Sequence, residues 1–430
     1  MEKEISKFKL YATIISLGFT GGAIFIIPYI KFVFYDLQLQ VTGMTNTQSA
    51  LLLTVYTIVT IIIMIPSGAL VDKIDVKKGL IIALVGTTAV TALYAFTFTS
   101  YATSLVIWAI LSFLTMGIYW PSFSKILNVI GAKTDKTGSG RSGLTFGFYY
   151  ACNGIAAAII NSISLWASTQ FEDPIASFRI AVIVAGVSTL IATVLVFLFI
   201  DRDLITPTAE MTNAVAGGET VQTESTISII AQVIKNPMSW MVALIVLVGY
   251  TLYSLQGYFT PYLTTVVGIS PESAGIFAII RTYVFLVLAA VGGFMADKVF
   301  KSTARWLGVA FAIMAVVVAG FFVMPSGVNI MFISAYTLLP SAFVQMTYTI
   351  KYSVINEIDI KPGLLATTTS AVTFCANLVD LVFSPAIARL IDTKGAAAYN
   401  YLFGFLILML IIGSFASFTV VAKRKKNKAA

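Results

Sequence analysis

The chain contains no histidine. This removes the commonest metal ligand and the one side chain that ordinarily titrates near neutrality, so any proton traffic has to run through a carboxylate. Its two cysteines, Cys152 and Cys375, lie inside apolar runs and share no metal-ligand spacing; they read as small packing residues, not as ligands or a disulfide. No nucleophile paired with a base and no glycine-rich phosphate loop stands out, which argues against an enzyme and calls for no cofactor and no metal. Charge is scarce: 11% of the 430 positions are charged against 58% hydrophobic, too few polar side chains to cover a water-soluble domain. With a mean hydropathy of +0.92, most of the chain is expected to face lipid.

The net charge of +8 would suggest nucleic acid in a soluble protein. Here the lysines and arginines fall in short stretches between apolar runs, as the positive-inside rule requires, so the partner they imply is the bilayer and not nucleic acid. A helix needs about 20 apolar residues to cross the hydrocarbon layer. Runs of that kind cover 8–35, 48–66, 79–98, 103–130, 142–170 and 178–200, then 238–266, 271–296, 304–324, 329–355, 363–391 and 399–422. The pattern predicts an all-α polytopic membrane protein of 12 transmembrane helices in two pseudo-symmetric six-helix bundles, 1–200 and 238–430. A polar linker, 201–237, joins them, with a short amphipathic helix near 227–234 lying at the membrane surface.

The first apolar run is too long for a signal peptide and lacks a cleavage site, so it is expected to remain as the first span. Lys3, Lys7, Lys9, Lys73, Lys77, Lys78, Lys133, Lys136, Arg141, Arg202, Lys235, Lys298, Lys301, Arg305, Lys361 and the tail from Lys423 to Lys428 all fall on one side. Both termini and the linker are therefore expected to be cytoplasmic, in a cytoplasmic (inner) membrane. The basic tail reads as a solvated anchor, with a lipid-headgroup or partner site as the alternative.

One stretch organises the chain. Ile65-Pro-Ser-Gly68-Ala-Leu-Val-Asp72-Lys73 closes the second apolar run, Lys77-Lys78 follow, and the third run begins at once. Val291-Gly292-Gly293-Phe-Met-Ala-Asp297-Lys298 repeats it between runs eight and nine, with Gly293 to Asp297 spaced as Gly68 to Asp72. Placed between the second and third of twelve spans, Gly68-x-Leu70-x-Asp72-Lys73 resembles the signature hairpin of the major facilitator superfamily, and the likeness covers the whole chain. The resemblance implies that Asp72 sits near a helix N-terminus of the other half, where partial positive charge suits a carboxylate, and helps to close the transporter on the cytoplasmic side. Asp75 stands where that family usually has glycine.

Ionisable residues inside the spans are the site candidates, because each costs about 2.5–3.5 kcal/mol at a helix centre. Arg281 lies ten positions into the eighth span, roughly 15 Å deep. Asp380 is twelve positions before Asp392, at roughly the same depth. The two can pair, either as a structural bridge or as a site whose acid is released when substrate or a proton arrives. Lys125 and Lys351 are 226 positions apart, close to the 225 that separate Asp72 from Asp297, so they are repeat-related. The resemblance would aim both at a central chamber; snorkelling to the boundary is the alternative, since each lies roughly 9–12 Å from it. Hydrogen-bonding and aromatic groups share their faces: Tyr119 and Ser122 with Lys125, Gln345, Tyr348 and Tyr352 with Lys351, and Tyr253, Gln256 and Thr260 on the seventh span. Asn153 and Asn377 form a repeat-related amide pair. Lys31 reads as an outer-boundary residue, and Gly18, Gly21 and Gly22 as points of close helix approach.

Three cations against one acid favour an anionic cargo. The expectation is a monomeric secondary transporter for a small organic anion, a sugar phosphate, sulfonate or carboxylate, working by alternating access with proton symport or by exchange against another anion. Arg281 would grip the anion, Lys125 and Lys351 would complete the site or gate it, and Asp380 would serve coupling. An exporter of drugs or neutral sugars is the alternative, and a transporter-like membrane sensor a further one.

Overall fold

Side-chain caps set where most of the helices begin. Asp75, Ser100, Asp173, Asn236, Ser270, Ser302 and Asn329 each accept a hydrogen bond from a backbone N–H of the first turn that follows, and Pro174, Pro237 and Pro271 occupy the next position, where a missing N–H costs nothing. Asp75 therefore has a plain use: its carboxylate accepts from the Lys78 N–H at 3.0 Å and starts a helix.

The computed structural model describes residues 6–72, 75–134, 142–206, 232–324, 327–358 and 365–429, with backbone only at 65, 68–72, 132, 142–146, 365–366 and 425–429. Among them there is no strand. Span 1 is Lys7–Ile24, span 2 Asn46–Asp72, span 3 Val76–Thr97, span 4 101–134, span 5 Ser142–Ser168 and span 6 Pro174–Phe199. Span 7 is Pro237–Val267, span 8 Pro271–Val299, span 9 Thr303–Val323 and span 10 Ile330–Tyr348. The last apolar run, Thr367–Arg424, is 58 residues long, well over twice what one crossing needs, and it turns at Gly395, φ 55°. It is therefore two spans, 11 ending at Lys394 and 12 beginning at Ala398. Among the described residues this makes twelve spans, as the sequence predicts. Of the linker, 207–231 lie outside the described residues, and the expected surface helix is seen only as a helical turn over 232–235.

Proline accounts for five of the places where the spans depart from regular helix. A proline has no N–H for the carbonyl four residues back and its ring crowds that carbonyl. Pro28, Pro121, Pro261, Pro340 and Pro385 thus disturb Ile24, Gly117, Gly257, Tyr336 and Leu381. At those places span 1 stops at Ile24, span 4 widens into a π turn over Phe113–Tyr119, and span 7 tightens to 3-10 over Gln256–Tyr258. Span 10 breaks after Tyr336, and span 11 widens over Val379–Phe383. Span 1 is accordingly shorter than the 8–35 expected; a 3-10 turn, Ile30–Phe32, and a separate helix, Tyr35–Thr42, follow it.

The chain divides into two compact units. One holds spans 1 to 6 and the segment Ser270–Val284; the other holds span 7, the rest of span 8 and spans 9 to 12. In the first, spans 1 and 5 pack through small residues: a side chain at Gly18 or Gly21 would collide with Cys152 or Tyr149, and one at Gly22 would lie 2.8 Å from the Ala156 Cβ. On the lysine-rich side, Lys77 donates to the Phe197 and Ile200 carbonyls at 3.1 and 2.7 Å, Lys133 to the Asp203 carbonyl at 2.6 Å, and Lys9 pairs with Asp201 at 2.6 Å. The Lys77 bonds satisfy carbonyls at the end of span 6 that no further helical turn would reach. In the second unit, Gly292 lies against the Met346 carbonyl, and Glu357 accepts from Ser302 Oγ at 2.6 Å and the Thr303 N–H and pairs with Arg424 at 3.0 Å.

Candidate functional site

The disturbed turns of spans 7, 10 and 11 carry the richest polar cluster of the second unit. Asp380 sits inside the widened turn of span 11, 3% exposed, and accepts hydrogen bonds from Tyr250 Oη and Ser254 Oγ, both at 2.6 Å. Lys351 opens the 3-10 stretch Lys351–Glu357 that follows span 10 and is also 3% exposed. Its ammonium donates to the Tyr348 carbonyl at 2.9 Å and lies 3.4, 4.9 and 5.9 Å from the ring centres of Tyr348, Tyr352 and Tyr250. No carboxylate pairs with it among the described residues. Gly249 makes room for the stem: a Cβ there would approach the Lys351 Cδ to 3.2 Å. Lys351 is thus buried among aromatic rings.

Tyr253 stacks on Tyr348 with ring centres 3.9 Å apart, and Tyr250 joins the two halves of the cluster by facing Lys351 with its ring and Asp380 with its hydroxyl. Tyr258 donates to the Ser384 carbonyl at 2.8 Å, closing span 7 onto span 11. Gln256 and Gln345 are buried, 2% and 0% exposed, and Tyr352 and Asn377 are half-buried. Tyr250 and Ser254 were not candidates from the sequence; the i, i+3 tyrosine pair Tyr250 and Tyr253 was the available signal.

In the first unit, Tyr119 and Asn153 meet through Tyr149. Thr20 Oγ1 lies 2.9 Å from the Tyr119 hydroxyl, that hydroxyl 3.3 Å from Tyr149 Oη, and Asn153 Nδ2 donates to Tyr149 Oη at 3.3 Å. Phe123 stacks between the two rings, at 5.6 Å from Tyr119 and 4.7 Å from Tyr149. Tyr119 is fully buried, and Lys125 on the same helix is half-buried. Arg281 is fully buried in the last turn of the helix Pro271–Thr282, whose Gly275 packs against Leu165 of span 5 and the Val33 carbonyl.

Of the hairpin motif, Lys77 binds the end of span 6, Lys78 is exposed, and Asp297 is exposed in a widened turn, Met295–Val299. Gly68 and Asp72 lie on the last turns of span 2 with their side chains outside the described residues, as is Lys73 altogether. In the repeated copy, packing requires Gly292; Gly293, the residue that matches Gly68 by spacing, meets open space.

Twelve apolar helices with buried cations, an acid and a tyrosine-rich polar cluster at broken turns define a polytopic membrane transporter. The family follows from the comparison with known sequences: residues 10–378 match the Major Facilitator Superfamily model, and the chain belongs to that superfamily. It is 22% identical to Inner membrane protein YihN of Escherichia coli (strain K12), over 98% of this chain and 97% of that protein. Among solved structures, a bacterial homolog to the human lysosomal transporter Spinster, inward-facing and unoccupied, aligns with a TM-score of 0.70 at 16% identity over 98% of this chain and 99% of that one. A mutant of the peptide transporter POT in complex with alafosfalin aligns with a TM-score of 0.65 at 15% identity over 97% and 94%. These likenesses concern the fold.

Proposed function

We propose that this transporter carries a small organic anion, a sugar phosphate, sulfonate or carboxylate, across the cytoplasmic membrane by alternating access. One observation supports this above the others: Lys351 keeps a buried ammonium against tyrosine faces and a carbonyl, with no carboxylate beside it among the described residues. A buried charge without a counter-ion is strongly destabilising, and a cargo that brings the opposite charge removes that cost. Arg281 grips the anion, Lys351 and Lys125 complete its neutralisation, and Tyr119, Tyr253, Tyr348, Tyr352, Gln345, Asn153 and Asn377 supply polar and aromatic contacts. Asp380 either pairs with Arg281 in the empty state or takes up the coupling proton, and exchange against a second anion is the other drive.

The halves 1–200 and 238–430 rock as two bundles about the linker 201–237, with both termini cytoplasmic and the protein monomeric. Gly68, Asp72, Lys73, Lys77, Lys78 and Asp297 belong to the cytoplasmic gate.

The test is uptake of labelled anions into proteoliposomes. Arg281→Gln, and Lys351→Met with Lys125→Ala, should each weaken anion affinity by about 10- to 100-fold, the worth of a charged hydrogen bond. Unchanged transport of every anion in Arg281→Gln would remove arginine from the site, and normal affinity in both lysine variants would return the lysines to a boundary role. An open apolar groove of about 450 Å³ between spans 1 and 6, lined by Phe8, Tyr11, Ile15, Phe19, Leu195 and Phe199, favours a second reading, export of an amphipathic drug. Binding of apolar compounds that is indifferent to Arg281 and Lys351 would select it.

A further inference from the structure

Gln256 lies near the middle of span 7 and is 2% exposed, yet neither its Oε1 nor its Nε2 has a hydrogen-bond partner among the described residues. Burying both ends of an amide unpaired is destabilising, and leucine or methionine would fill the same space without that cost. The residue begins the 3-10 turn Gln256–Tyr258 that Pro261 imposes. Its polar neighbours on that stretch are committed elsewhere, Ser254 to Asp380 and Tyr258 to Ser384. Gln256 lies one turn beyond Tyr253, which stacks on Tyr348. Gln345 lies one turn before Tyr348, and spans 7 and 10 run in opposite directions, so the two glutamines flank the tyrosine stack on the same side.

A carboxamide presents an acceptor and a two-hydrogen donor side by side. This is the complement of neighbouring hydroxyls, each of which donates and accepts. A phosphate, sulfonate or carboxylate group only accepts and would leave the amide oxygen unmatched.

We propose that Gln256 reads hydroxyl groups next to the charged end of the substrate, so that the site takes a polyhydroxylated organic anion in preference to a plain one. This rests on the anion reading above and narrows it. Gln256 contacts the cargo directly, and its selectivity comes from an amide that only a hydroxyl-bearing ligand satisfies.

The experiment measures affinities by isothermal titration on the purified full-length protein with matched probes. These are D-gluconate against pentanoate, glycerol 3-phosphate against propyl phosphate, and sorbitol as a neutral polyol. The wild type should prefer the hydroxylated member of a pair by about tenfold or more. Gln256→Met keeps the volume and loses the hydrogen bonds. It should bring the two members within about threefold of each other, mainly by weakening the hydroxylated one. Without ligand it should melt no lower than wild type, because an unpaired amide has gone.

Two results would overturn the proposal: the preference survives in Gln256→Met, where a lower melting temperature would mark an amide that serves the fold through a bound water, or both members lose affinity alike. Sorbitol binding that depends on Gln256, with no anion bound, would keep the hydroxyl assignment and end the anion reading. Anion binding that falls in Arg281→Gln but ignores hydroxyls would do the reverse. Silence from every probe would overturn both.

Discussion

Asp380 is held by two neutral hydroxyls, and this makes its neighbours measurable one at a time. Tyr250→Phe removes one donor from a buried carboxylate and should lower unfolding stability in detergent by about 1.5–3 kcal/mol, with Ser254→Ala costing a similar amount. Because the two hydroxyls serve one carboxylate, the double variant should depart from the sum of the singles; strict additivity would show that the donors act independently. Lys351 and Asp380 were legible in the sequence because an ionisable side chain in an apolar run is expensive enough to be noticed. Tyr250 and Ser254 were not, since hydroxyls occur throughout these spans and only their distance to Asp380 distinguishes them. Lys125 and Lys351 are repeat-related by position and differ in burial, Lys125 being half-buried and Lys351 buried. Span 4 continues as helix past Lys125 to Thr134, whereas Lys351 opens a 3-10 turn among tyrosines and lies against Gly249.

At the scale of elements, apolar run length gave the number and order of the spans, since the thickness of the hydrocarbon fixes how much helix is needed, but not all of their ends: span 1 stops at Ile24 and span 2 runs on to Asp72. The breaks inside them were equally present in the sequence, as Pro121, Pro261, Pro340 and Pro385, but run length averages over them. Close helix contacts were readable where glycines cluster, as at Gly18, Gly21 and Gly22. They were misleading in the repeated hairpin, where spacing singled out Gly293 and packing singles out Gly292. A paired substitution separates the two: Gly292→Ala drives a methyl into the Met346 backbone and should cost about 1–3 kcal/mol or more, while Gly293→Ala should be neutral or slightly stabilising. Equal melting temperatures for the two variants would show that spans 8 and 10 can move apart to admit the methyl.

For the whole molecule, the +8 charge includes lysines whose partners cannot be read from the sequence. Lys9, Lys77 and Lys133 come from three different spans and converge on the short neighbourhood between Phe197 and Asp203. The Lys9 ammonium hydrogen-bonded to Asp201 holds that carboxyl below the usual aspartate range. A group depressed on folding adds stability above its unfolded value, near pH 3.9, and loses that contribution as acidity carries it through the lower folded value. Wild type and Asp201→Asn should therefore differ most in melting temperature between about pH 5 and 8, converge below about pH 3, and differ less in high salt. A gap that persists at low pH would show that the effect does not come from the charge of Asp201.

Since those three ammonium groups are tied to backbone oxygens and a carboxylate, exchanging them for glutamine in order to invert the chain in the bilayer would alter two things together. Insertion would lose its directional bias, and the root of the connector between the repeats would lose its moorings. Exposed Lys7 and Lys78 carry the same sign without such ties among the described residues, and they are the places where orientation can be probed by itself.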